Sequence, residues 1–263
     1  MSELQFTHIG GPTVLLEVAG WRILTDPTFD APGGRYRHGV GSASTKLRGP
    51  ALRPEDLGPI DVVLLSHEHH ADNLDGAGRE LLASTGIVLT TEAGAARLGD
   101  HARGLRPWTS TMLSATDRPT ITVTATPCRH GPPLSRPFVG DVVGFALGWT
   151  GQRRGVLWVS GDTVLYRGLR TVARRIAVDV AVLHLGRAGA AATGPTRLTM
   201  GADAAVRLCA MLQPRLVIPV HYEGWSHTRE DRAAIEAAFA QAPPPVRDAL
   251  RMTTLGEPLS IEV

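Results

Sequence analysis

Ser66-His67-Glu68-His69-His70-Ala71-Asp72-Asn73 is the stretch of this sequence that decides its fold. It places three histidines and two carboxylates directly after the apolar run 62–65, which has the character of a buried strand. Imidazole and carboxylate groups are the ligands that zinc, iron and related ions use in proteins. Only ten histidines occur in the 263 residues, so three within four positions favour a metal site over a solvated polar loop.

Composition limits the kind of protein. Hydrophobic residues make up 43% of the chain and charged residues 20%, which is ordinary for a globular protein. The net charge is only +2 and no dense run of Lys or Arg occurs, so nucleic acid is not an expected partner. There is no signal-peptide pattern and no apolar run long enough to span a membrane, which predicts a cytoplasmic protein. Abundant Ala, Gly, Pro and Arg suggest a bacterial source, and no pattern specifies an oligomeric state.

The two cysteines, Cys128 and Cys209, lie far apart in sequence and predict no disulfide framework. Cys209 falls on the apolar face of a predicted helix, at helical spacing from Leu208 and Leu212, which places it in the core.

Strands and helices are predicted along the whole chain with no linker between them, so residues 1–263 are expected to form a single domain. Residues 13–18 and 21–25 predict a hairpin, and a Gly- and Pro-rich loop from Thr28 to Pro59 follows, which could cover a site. Further strands are predicted at 61–66, 86–90, 142–150, 155–160, 180–183 and 216–220 and around residues 105, 113 and 121–125. Helices are predicted at 78–84, 91–98, 169–176, 200–212 and 229–240. This mixture predicts an α/β architecture with helices on the outer faces of sheets.

Four later segments repeat the pattern of a strand that ends in a metal-binding type of residue. These residues are His130, Asp162, His184 and His221. Gly or Pro lies near each one, which lets the backbone turn and present the side chain at a sheet edge. One such residue would be weak support, but five strand ends of this kind indicate a shared site.

Together these segments resemble the metallo-β-lactamase fold superfamily, in particular its branch of ascorbate-6-phosphate lactonase and N-acyl-phosphatidylethanolamine phospholipase D type hydrolases. The matching segments are the leading strands 10–17 and 23–27, the motif 67–73, His130, Gly161-Asp162-Thr163 and Pro219-Val220-His221. The resemblance implies an αββα sandwich, in which helices flank two mixed β-sheets and metals bind at one sheet edge.

The family motif reads His-x-His-x-Asp-His, and this chain departs from it by one extra residue and by Asn73 at the last position. The ligand set that the resemblance implies is His67, His69 or His70, His130 and Asp162 for a first ion, and Asp162, Asp72 and His221 for a second. An amide is a weaker donor than imidazole, so Asn73 predicts a weakened second site.

The function expected from the resemblance is metal-dependent hydrolysis of a small-molecule ester, lactone or phosphodiester. Zinc, as one or two ions, is the expected cofactor, with manganese or iron as alternatives. Asp72 and His70 are the candidate catalytic residues, because a carboxylate near a metal can orient water or carry a proton. The alternative is a metal-binding protein without hydrolytic turnover, which Asn73 favours.

Several further polar residues have two interpretations each. Asp26 could support a ligand histidine or cap its own turn, and His184 could line the site or serve as a buried structural histidine. Glu68 is expected behind the ligands or on the surface. Arg129 could bind an anion or be solvated, and His227 could line a substrate pocket or pack.

Overall fold

The computed structural model describes residues 3–37, 43–189 and 196–263. The strands are β1 (Glu3–Gly10), β2 (Thr13–Val18), β3 (Trp21–Thr25), β4 (Arg35–Arg37), β5 (Ala43–Thr45), β6 (Val62–Leu64), β7 (Ile87–Thr91), β8 (Ala102–Leu105), β9 (Ser110–Ala115), β10 (Arg118–Pro127), β11 (Val143–Trp149), β12 (Val156–Val159), β13 (Val178–His184), β14 (Leu216–Val220) and β15 (Pro258–Glu262). The helices are α1 (Gly76–Leu82), α2 (Glu92–Leu98), α3 (Arg136–Val139), α4 (Arg167–Arg175), α5 (Ala202–Leu212), α6 (Arg232–Ala240) and α7 (Pro244–Arg247).

Most strands belong to two mixed sheets. The first sheet has the order β15-β1-β2-β3-β6-β7-β8 and the second the order β14-β13-β12-β11-β10-β9. Strands β3, β6, β7 and β8 are parallel to one another, and so are β12, β13 and β14. Because both β10 and β12 run antiparallel to β11, the carboxyl ends of β10, β12, β13 and β14 lie at the same edge of the second sheet.

The main core lies between the two sheets. Ile23 and Leu64 of the first sheet and Val123, Phe145 and Val182 of the second all lose almost all contact with solvent there. A second apolar cluster packs α4, α5, α6 and α7 against the outer face of the second sheet, and a third packs α1 against the first. These layers form the αββα sandwich that the resemblance implies, and burial of each large side chain contributes about 1.5–3 kcal/mol.

The predicted hairpin of β2 and β3 is confirmed, as are the alternating strands and helices of the second half. Cys209 is fully buried in the core, as predicted. The predicted helix 229–240 begins later, at Arg232, because the Asp231 side chain accepts the Ala234 N–H and caps the helix there (3.0 Å).

Two features were absent from the sequence-based prediction. Strand β15 pairs with β1, with Leu4 opposite Ile261. The predicted loop between Thr28 and Pro59 contains the short hairpin of β4 and β5, whose connecting residues 38–42 lie outside the described ranges. Three-residue strands rich in Arg, Ser and Ala are too short to show a period of two, so the pattern was not visible.

Within the described ranges, none of the helices is both long enough and apolar enough to cross a lipid bilayer.

Candidate metal centre

The predicted ligands lie where strands end. His67 follows β6, His130 follows β10, Asp162 follows β12 and His221 follows β14. The two sheets meet at this edge, where the Val143 N–H donates to the carbonyl of residue 66 over 3.2 Å. The ligands from the two sheets are thereby brought to one place.

A first cluster contains three imidazoles. The His70 Nδ1 atom lies 3.1 Å from His67 Nε2 and 3.2 Å from His130 Nε2. All three side chains are buried. Nitrogens that bind one tetrahedral zinc ion at about 2.0–2.1 Å are separated by about 3.3 Å, so these distances suit a shared cation.

Asp162 lies between the first cluster and a second one. Its carboxylate lies within 4.8 Å of the ligand atoms of His67 and His130. On the other side, its Oδ2 atom lies 3.8 Å from His221 Nε2. His184 Nδ1 donates to Asp162 Oδ1 over 2.9 Å and fixes the orientation of the carboxylate.

The second cluster contains Asp72, His221 and His227. Asp72 Oδ2 lies 3.3 Å from His221 Nε2 and 2.9 Å from His227 Nε2. The sequence predicts His227 as a residue that lines a substrate pocket or packs, and not as a ligand. Its separation from His221 by six residues matches no motif spacing, so only its position in the same loop could have identified it.

The structure separates the roles of the adjacent residues His69 and His70. His69 Nε2 donates to the Val139 carbonyl, and its other nitrogen lies 3.7 Å from Glu68 Oε2. His69 offers a ligand atom within 4.8 Å of those of His67 and His70, but its Nε2 atom is already bonded to the Val139 carbonyl. The geometry therefore favours His70 as the partner of His67 and His130.

Hydrogen bonds behind the rings orient the imidazoles. His130 Nδ1 donates to the Leu198 carbonyl over 2.9 Å, and His67 Nδ1 lies 2.9 Å from Ser66 Oγ. Asn73 Nδ2 donates to the same Ser66 oxygen over 3.3 Å. These contacts occupy the Nδ1 atoms of His67 and His130 and leave both Nε2 atoms facing the cluster.

The protonation states of the predicted ligands favour binding of a cation. Burial lowers the pKa of His67 and of His130, which keeps both rings neutral, the form that binds metal. Burial opposes ionisation of Asp162 and Asp72, but nearby histidines outweigh it and lower the pKa of both carboxyls. Near neutral pH the site thus presents neutral rings at His67 and His130 beside ionised carboxylates.

His221 differs from the other ligands. Burial works against its protonation, but the Asp162 and Asp72 carboxylates outweigh that effect and raise its pKa to about 9. Two buried carboxylates therefore attract positive charge to this position, and a proton supplies it when no other cation does.

The backbone at His221 is held in a rare conformation. Its φ of 62° is in the left-handed region, which costs on the order of 1–3 kcal/mol for such a residue. The His221 N–H donates to the Gly11 carbonyl over 2.7 Å. Residue 186 must be glycine here, because a Cβ atom would lie 2.7 Å from the His221 carbonyl oxygen. The fold therefore constrains the backbone to place this ring in the site.

The residues predicted to lie behind the ligands make defined contacts in the structure. Asp26 accepts the Ser66 N–H over 2.7 Å and lies 3.7 Å from His184 Nε2, so it holds the backbone beside a ligand and not the ligand itself. His184 is the buried histidine that positions Asp162. Glu68 is buried and forms an ion pair with Arg97.

The remaining candidates lie beside the site. The Arg129 guanidinium stacks over the Tyr166 ring at 4.7 Å and borders a cavity of about 590 Å³, which also reaches His130. Burial raises the pKa of the Cys128 thiol well above its usual range, so this cysteine is a poor nucleophile.

Unsatisfied polar atoms at the site support a cation as the missing partner. Among the described residues, the buried atoms Asp72 Oδ1, Asp162 Oδ2 and both ring nitrogens of His221 have no hydrogen-bond partner. Each such atom costs about 1–3 kcal/mol if it stays unsatisfied. Because Asp162 Oδ2 and His221 Nε2 lie only 3.8 Å apart, the donor set there fits a divalent cation.

Comparisons with known proteins agree with this geometry. The family model described as "Beta-lactamase superfamily domain" matches residues 21–222. A protein named as a metal-dependent hydrolase from Opitutus terrae is 28% identical over 252 residues, covering 93% of this chain and 96% of that protein. One with the same description from Ligilactobacillus salivarius is 26% identical, covering 87% and 89%.

Among solved structures, the isothiocyanate hydrolase from Delia radicum gut bacteria superposes with a TM-score of 0.79 at 23% identity. The superposition covers 98% of each chain. At this identity the likeness establishes the shared fold.

Proposed function

This chain belongs to the beta-lactamase superfamily domain family, and on that premise we propose that it is a metal-dependent hydrolase. The related proteins from Opitutus terrae and Ligilactobacillus salivarius are named as metal-dependent hydrolases, which supports the same class of reaction here. We propose a small molecule with an ester, lactone or phosphodiester bond as its substrate.

One observation carries the proposal: three buried imidazoles and one buried carboxylate converge at the edge where the sheets meet. His67, His70 and His130 supply the nitrogens and Asp162 the carboxylate. Buried ionisable groups at this density are costly unless a ligand compensates them. We propose that these four residues hold a divalent cation, with zinc first and manganese or iron as alternatives.

A divalent cation at this position would supply Lewis-acid chemistry, acidifying water and polarising a substrate oxygen. The chain's own part is to fix the ligands. His184 orients Asp162, while Ser66 and the Leu198 carbonyl hold His67 and His130 in one tautomer. Burial of the rings also excludes bulk water from their surroundings.

The two residues that the sequence suggested as catalytic receive a different role in this proposal. The His70 Nδ1 atom lies among the ligand atoms, where a metal ligand is placed. The lowered pKa of Asp72 makes its carboxylate a weak base, although a good ligand. We therefore propose that both act by binding metal.

The rival interpretation is a metal-binding protein without turnover. The sequence favours this interpretation through Asn73, which stands where the family motif has a histidine ligand. In the structure Asn73 donates to Ser66 and thereby supports the first cluster, so its presence does not argue for a degenerate site.

The test is hydrolysis by the purified protein after loading with zinc or with manganese. The panel should contain lactones, esters and phosphodiesters, together with an isothiocyanate because of the related fold. We expect turnover of at least one class, its loss on chelation, and a fall of at least about 100-fold in His130→Ala.

His101→Ala is the matched control, because His101 is exposed and distant in sequence from every ligand. Equal activity in wild type and His130→Ala would refute the hydrolase proposal. Stoichiometric metal binding with no turnover on the whole panel would favour the rival.

A further inference from the structure

We propose that His227 replaces, as a ligand of the second ion beside Asp72 and His221, the imidazole that the motif lacks at Asn73, and that Asn73 supports the first site instead. This inference rests on the proposed function and goes beyond it, because the last position of the motif at 67–73 is Asn73 and supplies no imidazole to the second cluster. The missing imidazole comes from the loop after β14.

The distances of the second cluster carry the first step. His227 Nε2 and His221 Nε2 lie 2.9 Å and 3.3 Å from Asp72 Oδ2, and the three ligand atoms all lie within 4.8 Å of one another. The separation expected for ligands of one tetrahedral ion is about 3.3 Å. Two imidazoles and a carboxylate from three separate backbone positions form a set that zinc commonly uses.

Asn73 points to a different partner. It is fully buried, and its Nδ2 donates to Ser66 Oγ over 3.3 Å. The same oxygen lies 2.9 Å from His67 Nδ1. With an N–H on His67 Nδ1, Ser66 accepts from both residues, and the lone pair of His67 Nε2 faces the first cluster. An imidazole at position 73 would lack the amide that completes this arrangement.

The loop that carries His227 is fixed on both sides. The Ser226 N–H donates to the Thr45 carbonyl over 3.0 Å, and the Thr45 N–H donates to Ser226 Oγ over 2.8 Å. The Gly189 N–H donates to the His227 carbonyl over 3.3 Å. His227 is therefore positioned by defined backbone contacts, as an active-site ligand must be.

The charge of the cluster supports the same assignment. Asp72 Oδ1 and Asp162 Oδ2 are buried without hydrogen-bond partners among the described residues. Both carboxylates face His221, which lies 3.3 Å from the first and 3.8 Å from the second. A second cation between the two carboxylates would balance their charge and pair with Asp162 Oδ2, and Asp162 would then bind both ions.

The experiment counts metal ions and measures their affinities, without using activity. Wild type, His227→Ala, Asn73→Ala and the control His101→Ala are stripped with a chelator. They are then titrated with zinc in a calorimeter, and bound zinc is counted by mass spectrometry after dialysis. Circular dichroism and thermal unfolding establish that each variant is folded.

We expect two zinc ions per chain in wild type and in His101→Ala. His227→Ala should bind one ion, with the affinity of the tighter step unchanged within about twofold. Asn73→Ala should still bind two ions, but the tighter step should weaken by about tenfold, the usual effect of removing a group that orients a ligand. The two variants thus separate ligand from support.

Two ions in His227→Ala, or one ion in Asn73→Ala with its tighter step unchanged, would overturn the inference. One ion in both wild type and His227→Ala would also overturn it while leaving the hydrolase proposal standing. A wild-type protein that binds no zinc and no manganese would refute both, so the two failures are distinguishable. If His227→Ala does not fold, His227→Gln, with a side chain of similar size, takes its place.

Discussion

At the scale of single residues, the centre depends on groups that never touch the proposed metal. Ser66, Asp26 and His184 lie behind the ligands, and each makes a short contact with a ligand or with the backbone beside one. Such residues decide which nitrogen of an imidazole faces the ion. The many polar residues of the segment 66–73 therefore include residues that orient the ligands as well as the ligands themselves.

Glu68 shows the same principle on the outer side of the motif. It forms an ion pair with Arg97 and lies beside the His69 ring. Burial opposes its ionisation, but the adjacent His69 ring and the hydrogen bond from Arg97 outweigh it and lower its pKa from 4.5 to about 2. Glu68 therefore anchors His69, and with it the turn that presents His70.

We predict that Glu68→Gln alters the acid sensitivity of folding. A carboxyl with a lowered folded-state pKa contributes stability that is fully present above its unfolded pKa, 4.5, and is lost as the pH falls towards 2. The variant should be less stable by about 1.5–3 kcal/mol near pH 5, and the difference should shrink between pH 4.5 and 2. Urea unfolding across that range measures it.

Glu55→Gln is the control, since Glu55 is 61% exposed in its ion pair with Arg53 and should change little. A difference between wild type and Glu68→Gln that stayed constant down to pH 2 would contradict the assigned anchoring role.

At the scale of elements, a buried ion pair helps to hold the segment between β3 and β6 against the rest of the molecule. Lys46, the only lysine in the chain, donates to Asp75 over 2.7 Å, with 3% and 0% of the two side chains exposed. Asp75 also caps α1 through the Gly78 N–H (2.9 Å). Because Lys46 also lies over the Trp225 ring, this pair joins the β4–β5 hairpin to the loop of His227.

We predict that Lys46→Met destabilises the protein by about 3 kcal/mol, because it leaves the Asp75 carboxylate buried without its cation. Backbone N–H groups of Phe29 and Asp30 still donate to Asp75, which places the cost at the lower end of the usual range. Chemical denaturation measures the change.

The matched control is Arg53→Met, which removes an exposed ion pair with Asp56 and should cost less than about 1 kcal/mol. The double variant Lys46→Met with Asp75→Asn should recover part of the loss, because no buried charge remains unpaired. Equal losses of unfolding free energy in Lys46→Met and Arg53→Met would show that the buried ion pair stabilises the protein no more than an exposed one.

At the scale of the whole molecule, much of the fold could be predicted from the sequence because its signals are local. The hairpin of β2 and β3 and the strands β6, β13 and β14 are short apolar runs bounded by Gly, Pro or Asp. The resemblance then supplied the sandwich and the order of the strand-end ligands. These features need only neighbouring residues to be recognised.

What could not be predicted depends on distant contacts. The pairing of β1 with β15 joins Glu3 to Glu262 and has no local sign. The preference for His70 over His69 depends on where the Val139 carbonyl lies. His227 reaches Asp72 across 155 positions, so neither residue predicts the other by spacing.

We predict that metal binding raises the thermal stability of the whole domain, because the ligand set exists only in the folded chain. At a free zinc concentration 100 times the dissociation constant, the gain is about 2.7 kcal/mol per site. For a chain of this size that corresponds to roughly 5–10 °C in melting temperature. Differential scanning calorimetry with and without a chelator measures the shift.

Manganese and magnesium serve as comparison ions in this experiment, since magnesium prefers all-oxygen sites and should give a smaller shift. A melting temperature independent of zinc in wild type, or equally dependent in His67→Ala, would contradict the assignment of the first cluster.

The division of the ligands between the two sheets has a consequence for the order of folding. His67 and His70 are three positions apart and can meet early, whereas His130, Asp162 and His221 arrive only when the second sheet has formed and packed. Contacts at such large sequence separation form slowly, because the chain must first close long loops. A nascent chain with one sheet complete therefore offers only part of the coordination sphere, and tight metal uptake marks the end of maturation.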